Sequence, residues 1–256
     1  MEPLAPRHAD IVALAKSTGR VSVDDLAVRF GVTPQTIRKD LNELCDRGVL
    51  QRYHGGAVLA SGVVNFGYEA RRQIAPEEKR QIGIETAALI PDDSSLLINI
   101  GTTTEQVAMA LRDRHGLLVI TNNINVINIL HGYDGVELIV AGGVIRHADG
   151  GVIGDSAADF IRQFRVDFAV IGASGIDEDG SLLDFDYAEV RVAKAIMGSA
   201  RKSILVADSS KYERTAPVRI GHISDLDYFV TNELPPQRIR EICQEHAVQI
   251  LSLIHI

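Results

Sequence analysis

Thr33-Pro34-Gln35-Thr36-Ile37-Arg38-Lys39-Asp40-Leu41 is the stretch that decides how the amino-terminal part of this chain is built. A threonine hydroxyl can cap a free helix amide, and a following proline suits the first helical position. Ile37, Leu41 and Leu44 then fall at i, i+4 and i+7, so one stripe is apolar and turns inward. The opposite surface carries Gln35, Thr36, Arg38, Lys39 and Asn42, side chains able to reach base edges and phosphates in a DNA major groove. The spacing predicts a recognition helix.

Working outward, His8 to Lys16 has helical spacing through Ile11, Leu14 and Ala15, with Gly19 as its stop. Ser22-Val23-Asp24-Asp25 reads as a capping box, Asp25 standing in for glutamate, that opens a short helix through Leu26, Ala27 and Phe30. Gly31-Val32 then turns directly into the Thr33 cap, a helix-turn-helix pattern. Gly48 is the expected stop of the second helix. Val49 to His54 and Ala57 to Leu59 are extended runs around Gly55-Gly56, a pair that tolerates a tight hairpin. Such a hairpin is the wing of a winged helix, with Arg52 and His54 set to touch the sugar-phosphate backbone. The expected DNA-facing set is Ser22, Thr33, Gln35, Thr36, Arg38, Lys39, Asn42, Arg52 and His54. The alternative is an ordinary small helical domain with a solvated charged face.

Charge constrains the partner. The chain holds 26 Lys+Arg against 34 Asp+Glu, a net of −8, split as +1 over residues 1–60 and −9 over the rest. A near-neutral reader on an acidic body argues against indiscriminate polyanion binding. DNA contact must then come from local placement of Arg29, Arg38, Lys39, Arg47 and Arg52, which favours a site-specific binder working with a second copy. At 256 residues the prior is two domains. The expected division is 3–58 as DNA-binding domain, 59–75 as linker with solvated Glu69, Arg71 and Arg72, and 76–252 as a second domain. No apolar stretch reaches the ~18 residues needed to span a bilayer, and no signal-peptide pattern opens the chain. A cytoplasmic protein without membrane contact is expected. Cys45 and Cys243 read as free thiols. The eight histidines are scattered, so no metal site and no cofactor are expected.

From Pro76, helical and extended patterns alternate. Helices are expected at Glu77–Ile90, Thr104–Leu111, Asn125–Leu130, Ser156–Arg165, Ala188–Ala200 and Pro236–Glu245. Strands are expected at Leu96–Ile100, Leu117–Thr121, Val136–Ala141, Asp167–Ile171, Ser203–Ala207 and Asp227–Val230, with a last one in the apolar end Leu251 to Ile256. This is an α/β pattern with a mainly parallel sheet covered on both faces. Ligands in such sheets bind beyond the carboxyl ends of the strands. Gly101-Thr102-Thr103-Thr104 leaves a strand and enters a helix, the composition of an anion cradle as well as of a plain capped turn. Thr121-Asn122-Asn123, Ala141-Gly142-Gly143, Gly172-Ala173-Ser174-Gly175 and Asp208-Ser209-Ser210-Lys211 supply further polar turns. Together they suit a phosphorylated polyol: glycine, threonine and serine groups with Lys211 on the phosphate, and Asn122, Asn123 and Asp208 on hydroxyls. The acidic run Asp184 to Glu189 reads as a helix entrance favouring negative charge.

Val32 to Leu44 and His54-Gly55-Gly56-Ala57 resemble the signature of the DeoR family of bacterial sugar-metabolism regulators. Gly101-Thr102-Thr103, Thr121-Asn122-Asn123, Gly142-Gly143 and Asp208-Ser209-Ser210-Lys211 are similar to that family's effector domain. The resemblance implies a winged helix-turn-helix followed by an α/β domain like that of sugar-phosphate isomerases. It also implies a non-enzymatic repressor that binds double-stranded operator DNA as a homo-oligomer, dimer or tetramer, and is released by a small phosphorylated effector. The finer match in Gly175-Ile176-Asp177, Gly180 to Tyr187 and Glu189-Val190-Arg191 is to members that respond to glycerol 3-phosphate. A sugar-phosphate isomerase with an appended DNA-binding domain is the alternative. The family commonly has arginine where Lys39 stands. Lysine keeps the charge without the bidentate fork, which directs Lys39 to phosphate.

Overall fold

A computed structural model describes residues 5–18, 20–46, 49–53, 55–59, 68–212 and 214–253. Expectations resting on Gly19, Arg47, Gly48, His54, residues 60–67 and residues 254–256 lie outside these. The chain forms two units, Met1–Ile74 and Ala75–Ile256.

The first unit runs α1 (Pro6–Thr18), β1 (Arg20–Ser22), α2 (Val23–Phe30), α3 (Pro34–Asp46), β2 (Leu50–Tyr53), β3 (Gly56–Leu59) and α4 (Tyr68–Gln73). The Ser22 hydroxyl accepts the Asp25 amide at 3.0 Å and donates to the Asp25 carboxylate at 2.6 Å. The shorter aspartate thus engages the capping hydroxyl. Gly31 ends α2 in the left-handed region at φ 63°, with its amide on the Ala27 and Val28 carbonyls, a conformation glycine adopts without steric cost. The Thr36 amide then bonds the Thr33 hydroxyl at 3.2 Å and opens α3. Ile37, Leu41 and Leu44 are fully buried against Ile11, Ala15 and Leu26. Each such side chain contributes about 1.5–3 kcal/mol on leaving water.

The expected hairpin is present, and it gains a strand. β2 and β3 pair antiparallel, and β1 joins the far side of β3. Three residues show no periodicity, so β1 is a strand only because β3 offers it a partner. Tyr68 to Gln73 also departs from expectation, since α4 is a helix in the stretch taken as linker. Arg71 is half-buried there rather than solvated, Arg72 lies 5.9 Å over the Tyr68 ring, and Ile74 packs on this unit's core.

The second unit runs α5 (Pro76–Ala88), β4 (Ser95–Ile98), α6 (Thr102–Ala110), β5 (Leu117–Thr121), α7 (Ile124–Leu130), β6 (Val136–Val140), β7 (Val144–Arg146), β8 (Gly151–Ile153), α8 (Asp155–Ile161), β9 (Val166–Ile171), β10 (Gly175–Ile176), β11 (Ser181–Asp184), α9 (Tyr187–Gly198), β12 (Ala200–Val206), β13 (Val218–His222), β14 (Tyr228–Thr231), α10 (Gln237–Glu245) and β15 (Gln249–Ser252). Among the described residues, seven strands make a sheet in the order β15-β14-β12-β9-β4-β5-β6, each pair parallel. Side chains alternate across it, Leu97, Ala169 and Leu205 entering one core while Leu96, Ile98, Val170 and Ile204 enter the other. Burial on both faces is why these strands read as continuous apolar runs.

The chain starts the sheet at β4, moves outward through β5 and β6, then returns to β4's other side at β9. That reversal makes the carboxyl ends of β4 and β9 the topological switch point, where ligands of such sheets bind. Two antiparallel pieces escape the sequence reading: the β7–β8 hairpin and the sheet β10-β11-β13. Among the described residues, no helix is long and apolar enough to cross a membrane.

Candidate functional site

α3 presents Gln35, Arg38, Lys39 and Asn42 exposed, with Thr36 half-buried at its start. These five form one polar face, as the spacing predicts. Ser22 and Thr33 are helix caps, and the Thr33 hydroxyl also meets the Thr36 hydroxyl at 2.9 Å. Arg52 is exposed on β2 and bonded within the protein. Its Nε and Nη2 donate to Asn42 Oδ1 at 3.0 and 2.7 Å, Nη2 to the Arg38 carbonyl at 3.3 Å, and Nη1 to the Gly56 carbonyl at 3.4 Å.

Asp40, on the inner side of α3, was not anticipated as functional. Arg7 donates to it from Nε at 2.6 Å and Nη2 at 3.0 Å, and His8 Nε2 lies 3.2 Å away. Burial alone would raise the Asp40 pKa. The Arg7 and His8 hydrogen bonds outweigh burial and hold it below the ordinary carboxylate range. The effect is to moor α1 to α3.

In the second unit the strand ends meet. Gly101 caps α6 at φ 152°. The Thr104 hydroxyl donates to the Asn99 and Gly101 carbonyls, both at 2.8 Å, so it closes the turn, while Thr102 and Thr103 are buried at the helix opening. A Cβ placed on Gly172 would lie 4.0 Å from Thr104 Cγ2 and 3.9 Å from the Val206 carbonyl, which brings the ends of β4, β9 and β12 together. Asn123 caps α7 through the Asn125 amide at 2.9 Å and donates to Glu105 at 3.4 Å. Asn122 is fully buried, with Nδ2 on the Val152 carbonyl at 3.0 Å.

Asp208 is 1% exposed. Its Oδ1 takes the Ser210 amide at 3.1 Å and the Ser210 hydroxyl. Burial pushes the carboxyl up, but the charges of Lys211 and Lys79 with the Ser210 bonds hold it below the usual range. Both lysines are buried. Lys79, on α5, thus joins the candidate site, although it is not singled out from sequence. Its signal was there: Lys79, Ile82, Gly83 and Thr86 share one buried stripe. Three acceptors in this region, Asn99 Oδ1, Asn122 Oδ1 and Asp208 Oδ2, are buried without a hydrogen-bond partner. Such oxygens are uncommon in folded proteins and mark sites that a ligand or water satisfies.

Other expected members stand aside. The Ser209 amide and hydroxyl bond the Asn232 side chain at 2.8 and 3.3 Å. Gly142 and Gly143 are exposed at the entry to the β7–β8 hairpin, where Gly143 faces Val152 and Ala157. The acidic run is a helix entrance, with Asp186 capping α9. It is also half of an ion cluster in which Arg146 reaches Asp149 at 2.6 Å, Asp186 at 2.8 Å and Glu189 at 2.5 Å. Cys45 and Cys243 are free, one in each unit, and burial pushes the Cys243 thiol up to about 11. Among the described residues, no group of three or more potential ligands could hold a metal ion.

Comparison with known proteins decides the family. Residues 7–63 match the DeoR-like helix-turn-helix domain and residues 74–233 the DeoR C-terminal sensor domain. The chain belongs to the DeoR family. It is 46% identical over 244 residues to the glycerol-3-phosphate regulon repressor of Escherichia coli strain K12, covering 95% of this chain and 97% of that one. With the protein of that name from Haemophilus influenzae it shares 45% over 229 residues, 90% and 89% of the two chains. A ribose 5-phosphate isomerase structure from Methanocaldococcus jannaschii aligns over 54% of each chain at 16% identity and a TM-score of 0.41. As a DeoR-family member the chain is a DNA-binding transcriptional regulator with a sensor domain, and not an enzyme.

Proposed function

We propose that this regulator represses a glycerol catabolic regulon from the cytoplasm and leaves its operators when glycerol 3-phosphate fills the strand-end crevice. Gln35, Thr36, Arg38 and Lys39 read the major groove and its phosphates in two half-sites about one helical turn (~34 Å) apart, held by a homodimer or tetramer. In the crevice, the opening amides of α6 at Thr102 and Thr103, with Lys79 and Lys211, hold the phosphate. Asp208, Asn99 and Asn122 accept from the two hydroxyls.

One observation carries this reading: buried acceptor oxygens without partners at the strand ends, with Asp208 among them beside the buried Lys79 and Lys211. Acceptors call for hydroxyl donors, and two buried lysines with the opening amides of α6 supply positive potential, a combination that suits a phosphorylated small polyol. The names of the relatives support glycerol 3-phosphate among such compounds.

A thermal-shift comparison tests it. Glycerol 3-phosphate at 100 times its Kd stabilises the folded state by about 2.7 kcal/mol, so the melting temperature of the second unit rises. Glycerol and inorganic phosphate leave it near its starting value, and Lys211→Met loses the response. A shift with other sugar phosphates and none with glycerol 3-phosphate would overturn the effector assignment.

A further inference from the structure

Arg52 stands on the wing strand β2, where a cation is read most simply as a phosphate contact. Its hydrogen bonds argue otherwise. A guanidinium has five N–H donors. Four are spent inside the protein: Nε and one Nη2 proton on Asn42 Oδ1, the second Nη2 proton on the Arg38 carbonyl, and one Nη1 proton on the Gly56 carbonyl. One proton remains, too few for a bidentate grip on phosphate or guanine. Asn42 is equally committed. Its oxygen takes two donors, so it lacks the free acceptor needed, beside its amide donor, to pair with adenine in the major groove.

The partners span the site. Arg38 and Asn42 lie one turn apart on α3, Arg52 is on β2, and Gly56 begins β3. We infer that Arg52 and Asn42 form a brace that fixes the wing against the reader helix, so that both act on DNA as positioning residues and neither contacts it. The brace sets the angle between helix and hairpin, and with it how the helix and the wing engage one duplex together.

Phosphate contact and brace differ in salt dependence. Removing a phosphate contact lowers the slope of log K against log salt by about one, whereas removing a brace weakens binding without changing the phosphates neutralised. The experiment uses the full chain and a duplex selected by the wild-type protein from a randomised pool. If nothing is selected, the DNA-binding reading itself fails. Affinities are measured by fluorescence anisotropy between 50 and 300 mM salt, with a scrambled duplex for non-specific binding.

Arg52→Lys, Arg52→Ala and Asn42→Ala are expected to lose about tenfold in specific affinity each. The double variant is no worse than either single one. Salt slopes equal that of wild type, and affinity for the scrambled duplex is unchanged. Lys39→Ala serves as the reference for a phosphate contact, with its slope lowered by about one. If Arg52→Lys keeps wild-type affinity while Arg52→Ala lowers the slope, Arg52 is a phosphate contact and the inference falls. It falls too if Asn42→Ala binds like wild type. Should Arg52→Ala unfold, Asn42→Ala and Arg52→Lys carry the test.

Discussion

At the scale of single residues, the most telling side chains are polar ones turned inward. Asp40 sits on the buried side of α3, beside Ile37, Leu41 and Leu44, and takes Arg7 and His8 from α1. Its folded pKa lies below its unfolded value near 3.9. The stability it contributes is therefore present above about pH 4 and is lost as pH falls through the lower, folded value. Asp40→Asn should lower the Tm of the amino-terminal unit by roughly 5 °C at pH 7. Thermal unfolding between pH 7 and pH 3 should show the gap to wild type closing only below about pH 4. Residues of this kind are hard to read from sequence. Asp40 and Lys79 have the composition of a solvated face, and only their position on buried stripes hints at another role. Exposed polar groups such as Arg52 and Asn42, which bond each other here, look the same in sequence as groups that face only a ligand.

At the scale of elements, legibility followed length. The helices of nine residues or more and the seven-stranded sheet were largely foreseen, since their periodicity has room to declare itself. β1, β7, β8 and β10 have two or three residues each; their pairing partners define them, and no local pattern does. α4 was hidden for the same reason, its six residues being too few for a stripe. Packing between elements can also reverse a propensity. Gly83 lies in the interior of α5, where alanine is ordinarily better by about 0.5–1 kcal/mol. A Cβ there would lie 2.6 Å from the Gln106 backbone on α6. Gly83→Ala should instead destabilise the second unit by about 1–3 kcal/mol. Because α5 carries Lys79 and α6 carries Thr102 and Thr103, the same change should weaken the effector-induced thermal shift. A variant more stable than wild type would contradict this packing.

At the scale of the whole molecule, residues 1–60 carry a formal charge of +1 and the remainder −9. Little non-specific attraction is built in, so operator affinity depends on the placement of a few side chains. Such a reader is easily controlled, because a modest change in placement forfeits much of its affinity. Coupling between two sites is typically 1–3 kcal/mol, or about 5–150-fold. On the proposed function, the ligand that controls DNA binding sits at the ends of β4, β9 and β12. The direct measurement is a titration of a selected operator duplex with the full chain, with and without saturating glycerol 3-phosphate. Operator affinity should be lower by about 5–150-fold in its presence and unaltered by glycerol. Equal affinity with and without glycerol 3-phosphate would contradict it.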